Sequence, residues 1–79
     1  MSYIFEVYYK PPINPSKETS LTSRITVFGG RLDYREDATV HTGVCLTYEF
    51  DSREKAAQAA ETLRQLGEHA EGPMDYAER

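Results

Sequence analysis

The sequence predicts one small α+β domain in which three or four antiparallel strands carry a single C-terminal helix across one face, in the order β-β-β-α. Three observations lead there. Residues 3–10 and 43–50 alternate apolar and polar side chains at the period of a strand. Residues 51–70 place apolar side chains at helical spacing instead. Proline and glycine clusters punctuate the chain between these segments.

The first strand runs from Tyr3 to Lys10, with Phe5, Val7 and Tyr9 on one face and Ile4, Glu6 and Tyr8 on the other. Pro11-Pro12 ends it, because neither ring nitrogen can donate to a ladder. Residues 11–23 read as a polar loop rich in Ser and Thr. A second strand is expected from about Arg24 to Phe28, with Ile25 and Val27 on one face and Thr26 and Phe28 on the other. A hairpin turn at Gly29-Gly30 would leave two very short strands, so a bulge or bend within one strand continuing through Leu32 and Tyr34 is preferred. Arg35-Glu36-Asp37 is a charged turn.

The third strand, Gly43 to Phe50, alternates Val44, Leu46, Tyr48 and Phe50 against Cys45, Thr47 and Glu49. A helix follows, with Asp51 as N-cap and Glu54 completing a capping-box pair. Its apolar stripe is Ala56, Ala59, Ala60, Leu63, Leu66 and Ala70, anchored by Leu63 and Leu66, and Gly67 is its natural stop. Gly72-Pro73 breaks any further helix, which leaves Met74 to Arg79 as a short edge strand or an ordered tail. The whole resembles a ferredoxin-like unit whose first helix is replaced by the proline-rich loop, a likeness of fold that carries no function with it.

Seventy-nine residues allow one core, so residues 1–79 form one domain. A chain of this size usually leans on disulfides, a metal or a partner subunit. A single cysteine, Cys45, excludes an internal disulfide, and His41 and His69 stand far apart without cysteines at zinc spacing. No cofactor or metal is therefore expected, and a homodimer or higher oligomer is. No segment has the length of a membrane span or the pattern of a signal peptide, and one free thiol suits a reducing cytoplasm.

The net charge of −4 is uneven: residues 1–48 carry five acids and five bases, residues 49–79 eight acids and four bases. Such an acidic chain repels phosphate backbones, so nucleic acid is not an expected partner.

No catalytic constellation emerges. Cys45, mid-strand between Val44 and Leu46, reads as filler, and Gly29-Gly30-Arg31 lacks the remaining glycines of a phosphate-binding loop. One helix can cover only one sheet face. The other would bear Ile4, Glu6, Tyr8, Thr26, Phe28, Cys45, Thr47 and Glu49, with Ile4, Tyr8 and Phe28 as an apolar interaction patch. Six tyrosines strengthen that expectation, since tyrosine joins a large apolar body to a polar tip. The functional expectation is a non-enzymatic, self-associating protein-interaction or binding module. The alternative is a small oligomeric enzyme with an inter-subunit site built from His69, Asp75, Tyr76 and Arg31.

Overall fold

The computed structural model describes residues 1–37 and 43–78. Strand β1 (Tyr3–Tyr9) is followed by helix α1 (Pro15–Val27), strands β2 (Arg31–Glu36) and β3 (Val44–Phe50), helix α2 (Arg53–Gln65), strand β4 (His69–Asp75) and a 3-10 turn (Tyr76–Glu78). The sheet order is β2-β3-β1-β4 with every neighbouring pair antiparallel. This is the split βαβ arrangement of ferredoxin-like domains. The class is α+β as expected, but the described residues form two α-helices rather than one.

The added helix, α1, corrects the expected polar loop and the expected strand at Arg24–Phe28. Its start is built from local chemistry: Asn14 is the N-cap, its side chain accepts from the Lys17 amide at 3.0 Å, and Pro15 opens the first turn. Leu21 and Ile25, four residues apart, are the buried face of α1, whereas Val27 is 84% exposed. The β-branched run Ile25-Thr26-Val27 favours a strand locally, yet two apolar anchors one turn apart are enough to seat a helix on the sheet. Gly29, at φ 87°, turns the chain out of α1 into β2, so the glycine pair is a helix terminus and not a strand bulge.

Helix α2 is close to the expected one, with shifted ends. Ser52, not Asp51, is the N-cap and accepts from the Lys55 amide at 3.2 Å. Ala56, Ala59, Ala60 and Leu63 are buried on its inner face. Leu66 is not an anchor, being 51% exposed at the C-cap, and Ala70 belongs to β4. The edge strand expected within Met74 to Arg79 begins earlier, at His69, so the Gly72-Pro73 pair lies inside β4.

One core lies between the sheet and both helices. It joins Phe5, Val7 and Tyr9 of β1 to Val44, Leu46, Tyr48 and Phe50 of β3, and to the buried faces of α1 and α2. Phe5 stacks on Phe50 at 5.5 Å, and the buried Tyr48 hydroxyl meets the Thr22 hydroxyl at 3.0 Å. Among the described residues no helix is long and apolar enough to cross a membrane.

Candidate protein-binding face

Both helices cover the same side of the sheet, and among the described residues no α-helix or strand is layered over the other side. The strand registers resolve that face into three rows running across the sheet. The first is Arg31, Glu49, Ile4 and Met74; the second is Tyr34, Thr47, Glu6 and Glu71; the third is Glu36, Cys45, Tyr8 and His69. A register shift between Leu32 and Tyr34 brings Tyr34 onto this face.

The expected apolar patch is only partly assembled. Ile4 and Tyr8 share the face, but Phe28 caps α1 and packs against the core on the other side of the sheet. Thr26 also leaves the face, for α1, where its hydroxyl donates to the Thr22 carbonyl. The centre of the face is nevertheless tightly packed: Ile4 and Thr47 are fully buried and Cys45 nearly so. Tyrosines stand around that centre, with Tyr34 52% and Tyr76 38% exposed.

The first row is closed by the chain itself. Arg31 pairs with Glu49 at 3.0 Å and Asp51 at 3.4 Å. The Tyr76 amide donates to the Ser2 carbonyl, and its hydroxyl donates to Asp33 Oδ2 at 3.0 Å, which ties the turn after β4 to the opposite edge strand. Asp75 pairs with Arg53 at 3.6 Å. Arg31, Asp75 and Tyr76 therefore gather at one end of the sheet. His69 stands at the other end, opposite Tyr8, five residues along β1 from the Tyr3–Asp75 pair, a separation of about 17 Å at strand rise. The four residues do not form one site within the chain. His41 lies outside the described residues.

The third row opens onto a cleft of about 540 Å³ lined by Tyr8, Lys10, Lys17, Gly43, His69 and Glu71, among others. The His69 ring meets Tyr8 edge-on at 5.7 Å, and its Nε2 lies 3.3 Å from Glu71 Oε1. Lys17 is engaged with Glu68 at 2.9 Å and lies over the Tyr9 ring.

Electrostatically, the second and third rows are acidic. Glu6 and Glu71 sit directly opposite each other on β1 and β4, and Glu36 adds a third carboxylate at the β2 edge. Glu6 accepts from the Tyr8 hydroxyl at 3.3 Å and from the Cys45 thiol at 3.6 Å. Burial, then the charge that Cys45 would carry once ionised and the charge of Glu6, raises the Tyr8 phenol well above its ordinary range. Burial and then Glu6 push the Cys45 thiol up as well, so it is a poor nucleophile. Among the described residues no group of three or more His, Cys, Asp or Glu side chains is placed to hold a metal ion.

Sequence reasoning found the β1 and β3 members of this face and missed Glu36, His69 and Glu71 as its flanks. The available signal was the alternation of His69 and Glu71 about the buried Ala70, masked by assigning Ala70 to the helical stripe. Searched against protein-family models, curated proteins and solved structures, the chain matches none.

Proposed function

We propose that this protein is a non-enzymatic interaction module that binds a protein partner through the uncovered face of its sheet. The observation that carries the reading is the one-sided placement of both helices, which leaves tyrosines and carboxylates ranged around a packed centre. A sheet face supplies rigid positions for such side chains, and tyrosine loses little conformational entropy on being covered. The groups with chemical potential are held quiet: the Cys45 thiol is buried beneath Glu6, and His69 is remote from Asp75 and Tyr76.

The test is a two-dimensional NMR titration of the labelled protein with three peptide sets, basic, acidic and apolar. Binding through this face moves the amides of Glu6, Cys45, Thr47 and Glu71 with at least one set. If no set moves them, the reading fails.

Self-association is a second reading, favoured by β2. On this edge strand Leu32 is 42% and Tyr34 52% exposed, on opposite sides of the sheet. The β4 edge is a poorer site for pairing, because Pro73 has no amide hydrogen and Arg64 occupies the carbonyls of Ala70 and Gly72. Native mass spectrometry at high micromolar protein distinguishes the cases: a multiple of the 9.0 kDa chain supports pairing, and a bare monomer removes it.

A further inference from the structure

The open face carries a local conflict. Like charges directly opposite each other on neighbouring antiparallel strands destabilise the pair, and Glu6 and Glu71 are such a pair. The eight positions of the second and third rows hold Glu6, Glu36 and Glu71 and no Lys or Arg. His69 beside Glu71 is the sole base there. By contrast, the carboxylate of the first row, Glu49, has its arginine within the chain at 3.0 Å. On the helix side Glu18 likewise has Arg35, at 2.6 Å. Among the described residues the fold thus supplies guanidinium partners to Glu49 and Glu18, and supplies none to Glu6, Glu36 or Glu71.

Resting on the interaction reading above, we propose that the partner is a basic protein segment whose arginine side chain lies between Glu6 and Glu71, against Tyr8. Charge complementarity selects this occupant. A second copy of the same face would bring three further carboxylates against these three, and a polyanion would be repelled. A guanidinium fits better than an ammonium: its planar fork can bridge two carboxylates and stack on a phenol ring. Glu36, three strands away from Glu71 in the order β2-β3-β1-β4, lies about 14 Å across the sheet. It suits a second basic side chain of the same segment.

The test uses the full chain and an arginine nonapeptide, with lysine and glutamate nonapeptides alongside, read by calorimetry and by amide shifts. The arginine peptide binds on the second and third rows, more tightly than the lysine peptide, and the glutamate peptide does not bind. Glu6→Gln and Glu71→Gln each weaken arginine-peptide binding about tenfold. Glu54→Gln and Glu61→Gln, which remove the same charge from the exposed face of α2, leave it within about twofold. Equal losses from all four variants would reduce the effect to net charge and overturn the proposal. Shifts on the face with the acidic or apolar set but not the basic one would also overturn it, leaving the interaction reading standing. Silence with every set removes both. Far-ultraviolet circular dichroism and the urea midpoint of each variant separate lost binding from lost folding.

Discussion

The Glu18 carboxylate of α1 receives both Nε and Nη2 of Arg35 on β2, at 2.6 and 3.0 Å, and also takes the Tyr9 hydroxyl of β1. The Tyr9 oxygen in turn accepts from the Asn14 amide at 3.0 Å, immediately before α1. One carboxylate therefore ties together the two strands and the helix of the first split βαβ unit. The hydrogen bonds from Arg35 hold Glu18 below the ordinary carboxylate range, with burial opposing.

Glu18→Gln should lower stability by about 1–2 kcal/mol at neutral pH, the value of a charge-assisted bond in a partly solvated pair. The sign of its pH dependence follows from the lowered folded value. Stabilisation by Glu18 is fully present above the unfolded carboxylate value near ~4.3 and is lost as pH falls through the lower folded value. Urea unfolding of both proteins from pH 7 to pH 2 should therefore converge in the acid range. A gap that persists unchanged at pH 2 contradicts this account.

Leu63 and Leu66 look alike in the sequence and should differ sharply when truncated. Leu63 is 1% exposed in the core, and Leu66 is 51% exposed. Leu63→Ala should cost about 2–4 kcal/mol, and Leu66→Ala about 0.5 kcal/mol or less. Comparable urea midpoints for the two variants would show that the end of α2 is wrongly placed.

Gly72, at φ 121°, has no space for a side chain: a Cβ there would lie 2.9 Å from Phe5 Cβ and 3.0 Å from the Ile4 carbonyl oxygen. Gly72→Ala should destabilise by about 2 kcal/mol or more through strain and overpacking together. Thermal unfolding is the measurement, and an unchanged Tm would refute the close approach of β4 to β1.

The Arg64 guanidinium grips β4 from α2, its Nε and Nη2 donating to the carbonyls of Ala70 and Gly72 at 3.1 and 2.7 Å. Arg64→Ala should speed amide exchange along β4 more than along β3, which is paired on both sides. Uniform acceleration in all strands would mean that Arg64 supports the whole fold rather than this edge.

Cys45 should react slowly with an aromatic disulfide reagent in the folded protein and quickly in denaturant, because its thiol is buried and its thiolate disfavoured. Native-state labelling as fast as that of the unfolded chain would place the thiol at the surface.

β1, β3 and most of α2 were legible because each buries one face against the same core, and burial imprints a period on the sequence. Phe5, Val7 and Tyr9 alternate; Ala56, Ala59, Ala60 and Leu63 recur by turns. α1 was hidden because Leu21 and Ile25 are its only buried side chains, while Ile25, Thr26 and Val27 have strand propensity. Its start was nonetheless written in Asn14-Pro15, an N-cap followed by a first-turn proline.

The candidate site divides in the same way. Alternation alone placed Ile4, Glu6, Tyr8, Cys45 and Thr47 on one face of two strands, since successive side chains must point to opposite sides. Which strands would be neighbours was a tertiary decision. The order β2-β3-β1-β4 sets Glu71 against Glu6 and Glu36 against Cys45, and it parts His69 from Asp75 and Tyr76. Register depends on contacts between residues far apart in the chain, which no local pattern encodes. Local alternation sets what each strand offers; the packing of two helices onto one side of the sheet sets which of those offers face outward together.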